Sequence, residues 1–321
     1  MQTKIWILFV EADHITPILA QKLQVLDKYL RLEANEIIIN HIGEICVDYG
    51  QKWETIEDSM LTYNFIDSFL TQLATRRGQR FNEKYPSLSC ELPPPYARYR
   101  LQAQHRSILF HSDVCVCIRI PSSKYFALEH FTLSDKVKES WDYEKIKALI
   151  PQRKNVLISG GTGTGKTSFL NALMSKIPQN ERIVSIEDSQ EIFIENHNKT
   201  QLAVPKEESE IYGYTQAINN AMRLRPDRLL LGEIDIRNTL AFLRINNTGH
   251  EGNLSTLHAN NSEDAINAII TNAMFGGMQD RVALKAYIRT AIDYIIQIKR
   301  IKNERIVSEI LDVKRHIPKE I

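Results

Sequence analysis

Eight consecutive residues, Gly160-Gly161-Thr162-Gly163-Thr164-Gly165-Lys166-Thr167, fit the pattern G-x-x-x-x-G-K-[ST]. Each residue type there suits a bound polyphosphate. Glycines let the backbone curl around an anion with its N–H groups pointing inward. A helix beginning at the same place adds partial positive charge. Lys166 is expected to reach the β- and γ-phosphates of ATP, and the Thr167 hydroxyl to hold Mg²⁺. The binding segment runs on to Ser168. The plainer alternative is a glycine turn between a strand and a helix. Against it, four of the thirteen glycines of the chain fall between 160 and 165.

A phosphate loop alone does not specify hydrolysis, because something must position water and support the metal. Three later stretches offer candidates. Arg182–Asp188 reads as a strand that delivers Glu187 and Asp188. Neighbouring strand residues point to opposite sides, so one carboxylate faces the metal; Glu187 is the candidate ligand and catalytic group. Leu229-Leu230-Leu231-Gly232-Glu233 is an apolar run ending in a carboxylate able to polarise water for in-line attack. Thr248–Asn260 carries His250 and His258 on either side of a short strand, and His258 is a candidate γ-phosphate sensor. For each, the plainer reading is a surface turn, a strand-end salt bridge or a structural histidine.

Strands and helices must place these groups. Asn155–Ser159 reads as a buried strand, and Ser168–Ile177 as a helix stopped by Pro178. Beyond them strands and helices alternate over 182–186, 213–224, 228–231, 238–245, 253–257 and 262–273. That is the signature of an α/β domain with a mostly parallel sheet, whose ligands bind at the carboxyl ends of strands. The earlier part reads differently. Apolar residues at Ile15, Ile18, Leu19, Leu23, Leu26, Tyr29 and Leu30 have helical spacing, and 36–40 with 44–49 reads as a hairpin. A second helix is expected over Met60–Ala74, and strands over Tyr96–Gln102 and Val114–Ile120. The expected organisation is an α+β domain over 1–121, a linker over 122–135 and the α/β domain over 136–321.

At 321 residues the chain suits two domains, and 43% hydrophobic with 25% charged residues is a globular composition. A net charge of +1 gives no global basic bias toward nucleic acid. Arg76-Arg77-Gly78-Gln79-Arg80 is a local basic cluster, read as a solvated turn or as a contact for anionic lipid or a neighbouring subunit. The apolar run Ile5–Val10 is far shorter than the roughly 20 residues of a membrane span. It reads as a short strand or helix. The four cysteines form no C-x-x-C pair, which fits a cytoplasmic protein; Cys115 and Cys117 share one face of a strand and are expected to be small buried residues.

Taken together, the phosphate loop, Ile186-Glu187-Asp188, the run Leu224–Glu233 and Thr248–Asn260 resemble the traffic ATPases of type IV secretion systems, the VirB11 type. Gly78-Gln79-Arg80-Phe81 and Ile118-Arg119-Ile120-Pro121-Ser122 match more loosely. The resemblance covers most of residues 75–315. It implies a RecA-like P-loop ATPase domain behind a smaller N-terminal domain, a homohexamer, and ATP with Mg²⁺ as ligands. It also implies that Arg98 and Arg119 approach the γ-phosphate. Such enzymes dock from the cytoplasm on inner-membrane secretion-complex components, as peripheral membrane proteins, and power machine assembly and transfer of protein or DNA substrates. One departure stands out. Where that family has arginine after Gly-Glu-hydrophobic, this chain has Asp235, with Arg237 two positions on. The alternatives are a type II secretion or type IV pilus ATPase, and a nucleotide-gated scaffold ring with little turnover.

Overall fold

A computed structural model describes residues 15–50, 52–121, 126–204, 212–302 and 304–318. The apolar run Ile5–Val10 and residues 122–125 of the expected linker lie outside them. The chain divides into two compact units, Met1–Ser123 and Lys124–Ile321.

In the first unit, α1 (Pro17–Leu30) starts where the Thr16 hydroxyl accepts from Leu19 N and Pro17 presets the first turn. It is followed by β1 (Glu36–Ile39), β2 (Glu44–Asp48), β3 (Trp53–Glu57), α2 (Tyr63–Arg76), β4 (Ser87–Glu91), β5 (Arg100–Gln104) and β6 (Cys115–Arg119). The strands form one antiparallel sheet in the order β3-β2-β1-β6-β5-β4. Leu23, Leu26, Phe69 and Leu70 of the helices share a core with Ile37, Ile45, Val116 and Ile118 of the sheet. The expected strand at Tyr96 begins only at Arg100, because Tyr99 N turns back to Tyr96 O.

The cysteine expectation is corrected. Val116 and Ile118 take the buried face of β6, which leaves Cys115 and Cys117 on the half-covered face. There burial, the Glu36 carboxylate beside it and its hydrogen bond to Glu36 push the Cys117 thiol up to about 11.

The second unit runs β7 (Phe131–Leu133), α3 (Asp135–Lys138), α4 (Tyr143–Ala148), β8 (Val156–Gly160), α5 (Lys166–Met174), β9 (Ile183–Glu187), β10 (Lys199–Ala203), α6 (Tyr214–Arg223) and β11 (Arg228–Leu231). It continues with α7 (Thr239–Asn246), β12 (Leu254–Leu257), α8 (Ser262–Phe275), α9 (Arg281–Ala291), β13 (Tyr294–Ile301), β14 (Glu304–Asp312) and α10 (Val313–His316). Its strands order as β10-β9-β11 and β12-β8-β13-β14-β7, parallel except for the β13–β14 hairpin.

Side chains stitch these two sheets together where backbone pairing lapses. Ser255 Oγ donates to Leu231 O and Thr256 Oγ1 to Gly232 O, each at 2.8 Å, while Asn253 Oδ1 accepts from Leu229 N at 2.8 Å. Both faces are covered. Phe169, Leu170 and Leu173 of α5 pack on Ile158, Leu254, Ile296 and Ile298. Residues of α6 to α9 pack on Leu157, Leu229, Leu231, Leu257 and Ile295. Double burial explains why these strands read as unbroken apolar runs.

The stretch expected as the end of a linker contributes a strand instead. Phe131–Leu133 pairs with Arg305–Val307 as β7, and the Phe131 ring meets Phe169 edge-on at 4.9 Å.

Candidate nucleotide site

The phosphate-loop residues leave β8 and enter α5 with the geometry that their types require. Gly163 and Gly165 have φ of +72° and +97°, where a Cβ would be strained. Gly165 is also crowded: a Cβ there would come within 2.8 Å of the Arg305 side chain. Thr164 Oγ1 donates to Gly161 O at 2.9 Å and closes the loop.

Lys166 is only 7% exposed. Its ammonium donates to Gly161 O at 3.1 Å and lies 3.2 and 3.3 Å from the two ring nitrogens of His258. Burial lowers its pKa, against the pull of the Glu233 and Glu191 carboxylates. His258 Nε2 in turn sits 3.3 Å from Glu233 Oε1, and both side chains are nearly half exposed, at 45% and 48%. Strand β11 therefore delivers Glu233, strand β12 delivers His258, and the loop after β8 delivers Lys166, all at the carboxyl ends of neighbouring strands.

The acidic stretch departs from expectation in detail. Glu187 ends β9 and is 6% exposed. Its Oε1 accepts from Glu191 N and Ile192 N, each at 2.9 Å, so this carboxylate shapes the following loop. The oxygen that meets Thr167 belongs to Glu191, whose Oε2 accepts from the Thr167 hydroxyl at 2.8 Å. Glu191 went unnoticed in the sequence because it falls in a coil segment with no periodicity. The repeated carboxylate of Glu187-Asp188-Ser189-Gln190-Glu191 was the one available signal.

Asp235 and Arg237 form a closed pair. Arg237 Nε and Nη2 donate to Asp235 Oδ2 at 2.8 and 2.5 Å, and the guanidinium lies 4.9 Å from the centre of the Tyr214 ring. Asp188 Oδ2 stands 4.0 Å from the same guanidinium. The acidic residue at 235 is thus matched by the basic one two positions on.

Arg305 was also missed. It stacks over Phe126 at 4.3 Å beside Gly165, and its Nε is buried with no hydrogen-bond partner among the described residues. Burial, reinforced by Arg300, lowers its pKa.

Arg98 and Arg119 belong to the first unit. Arg98 adopts a left-handed φ of +76° in the turn before β5, and Arg119 ends β6 exposed. The basic cluster 76–80 closes α2: Arg77 stands 3.6 Å from Glu91, and Arg80 covers the Tyr85 ring.

A glycine loop running from a parallel strand into a helix, with a buried lysine and acidic and imidazole groups converging on it, defines a P-loop nucleotide-binding protein. The model of the Type II/IV secretion system protein family matches residues 104–314, about two thirds of the chain, and the chain belongs to that family. It is 28% identical over 337 residues to the type IV secretion system protein VirB11 of Bartonella henselae, covering 93% of this chain and 94% of that one. It is 30% identical over 236 residues to the conjugal transfer protein TrbB of Rhizobium radiobacter, covering 73% and 69%. Among solved structures, the pilus retraction motor PilT with bound ADP shares the fold at a TM-score of 0.67 and 20% identity, over 90% of this chain and 82% of that one. No described helix is long and apolar enough to cross a membrane.

Proposed function

We propose that this protein hydrolyses ATP as a homohexameric motor, docked from the cytoplasm on the inner-membrane components of a type IV secretion system. Its work is to drive assembly of that machine and passage of protein or DNA through it. The observation that carries the reading is the chain Glu233–His258–Lys166 across three adjacent strand ends. The VirB11 relatives support the secretion assignment. The segment Gly160–Ser168 cradles the phosphates, with backbone N–H groups and the start of α5 facing the anion. Lys166 exchanges its contacts with Gly161 O and His258 for phosphate oxygens, which returns its buried charge to a partner. His258, relieved of the lysine, is left to read the γ-phosphate, and Glu233 holds the attacking water and accepts its proton.

The Thr167 hydroxyl and the Glu191 carboxylate are hard oxygen donors side by side, a fit for Mg²⁺. When bound, the ion neutralises charge on the phosphate oxygens. Glu187 supports it indirectly by fixing the backbone of Glu191. Arg98 and Arg119 are assigned the γ-phosphate role on the resemblance alone. The scaffold alternative rested on Asp235. Its pairing with Arg237 favours turnover, since the charge reversal is compensated where it arises.

Steady-state hydrolysis by the purified protein, with Lys166→Ala as the blank, tests the reading. Turnover falling on the order of a thousandfold in the variant supports it. Equal rates in both proteins would refute the loop assignment.

A further inference from the structure

A row of polar side chains crosses the sheet one layer below the site. Ser159 of β8 is in register with Gln297 of β13, and Gln297 with Glu309 of β14. All three project to the face covered by α8, among apolar neighbours such as Leu157, Leu257 and Ile295. Such groups belong in a core only with a task.

Two members of the row hold the segment that follows His258. Gln297 Nε2 donates to Ala259 O at 3.1 Å. Glu309 Oε2 accepts from Ser262 N at 3.2 Å and Ser262 Oγ at 2.5 Å. Burial raises the Glu309 pKa, but these hydrogen bonds outweigh it and the net shift is downward, so Glu309 stays an acceptor.

The remaining capacity of the row is unspent. Gln297 is 1% and Ser159 0% exposed, yet Gln297 Oε1 and Ser159 Oγ are buried with no hydrogen-bond partner among the described residues. One is an acceptor and the other a donor on adjacent strands. Ser159 directly precedes Gly160, the first residue of the phosphate loop. Gly160 itself is wedged against Ile298 O, which a Cβ there would approach to 2.5 Å. The phosphate-loop strand and the Gln297 strand are therefore locked together at the point where the loop departs.

We propose that Gln297 is a positioning residue for His258. It holds the chain just after His258 through Ala259 O, and it lies in register with Ser159 on the strand that carries the phosphate loop. The spare Ser159–Gln297 pair lets a shift of Gly160 reach Ala259, and so His258, without a change of side-chain packing. This deepens the nucleotide reading above and rests on it.

A double-mutant cycle tests the idea, using the full-length protein with ATP as substrate and a fluorescent ADP analogue as probe. Gln297→Met keeps the volume and removes both amide atoms; His258→Ala removes the ring. Gln297→Met is expected to slow turnover on the order of tenfold while ADP affinity stays within about twofold. Adding it to His258→Ala should slow that variant no further. Multiplying effects, or equal losses of affinity and turnover, would overturn the proposal.

Should Gln297→Met not fold, Ser159→Ala makes a smaller change in the same row. It is expected to lower turnover on the order of threefold, again only when His258 is present. A readout independent of turnover uses carbon-13-labelled histidine. The His258 ring resonance, identified among nine histidines by its loss in His258→Ala, should shift in Gln297→Met. An unmoved resonance would refute the link. If Lys166→Ala turns over ATP as fast as the parent, the nucleotide reading fails instead, and the resonance still decides whether Gln297 positions His258.

Discussion

Strands β11 and β12 carry charged or polar groups at both ends, and the two ends are built differently. At the amino end Arg228 is 0% exposed. It pairs with Glu181 through Nε and Nη2 and donates to Gly252 O at 3.1 Å and Ile150 O at 2.8 Å. Arg153 adds a second cation to Glu181 at 3.1 Å. Asn253 of the same end bonds Leu229 N, Asn155 Oδ1, Asn246 Oδ1 and His250 O. At the carboxyl end Glu233 and His258 are nearly half exposed, meet at 3.3 Å, and share Lys166 with a loop carbonyl. Saturated, buried charges fix geometry. Loosely held, accessible charges can change partners when a ligand arrives.

Removing a charge at the saturated end should have the larger effect on folding. Arg228→Met strands Glu181 with Arg153 alone and leaves the Gly252 and Ile150 carbonyls without their donor. A loss of about 3–5 kcal/mol in urea unfolding is expected, with nucleotide affinity of the folded protein unchanged. A loss below about 1 kcal/mol would show that the buried cluster is not what holds this end together.

At the open end the balance reverses. Glu233→Gln should cut turnover on the order of a hundredfold while moving stability by less than about 0.5 kcal/mol. A large stability change there would place Glu233 with the structural charges. Asp235→Asn is intermediate, because its partner Arg237 is part-buried against Tyr214. About 1 kcal/mol of stability and less than a threefold change in turnover are expected. A tenfold gain in turnover would mean that Asp235 restrains the site.

The contrast also explains what the amino-acid sequence made legible. The loop 160–167 is local, with its strand directly before it and its helix directly after it, so the strand–loop–helix unit was readable. Glu233 and His258 were picked out as candidates because each follows the end of a short strand. Glu191 was not, since its role depends on how Glu187 folds a non-periodic loop back toward α5. Arg305 and β7 were missed for a related reason. A three-residue strand has no periodicity to detect, and its pairing with β14 spans more than 170 residues. Cys115 and Cys117 were placed on one face correctly, but alternation alone does not say which face is buried when Val116 and Ile118 alternate equally well.

The dependence of stability on pH separates the two ends most sharply. Lys166 and Arg228 are both buried cations, but only Arg228 has a carboxylate at hydrogen-bonding distance. Burial depresses the Lys166 pKa below its ordinary 10.5. Between that lowered value and 10.5 the unfolded chain binds more protons than the folded one, so stability rises with pH across this window. Below the window the full cost of the buried ammonium is present. Lys166→Met should therefore stabilise the protein near neutral pH, by about 1 kcal/mol or roughly 2–4 °C in melting temperature, while abolishing turnover. The gap from the parent should narrow as pH climbs toward 10.5. Arg228→Met, by contrast, should be destabilising at every pH. A destabilised Lys166→Met would mean that the lysine's contacts to Gly161 and His258 hold the loop together, and the carboxyl end would then be a second structural cluster.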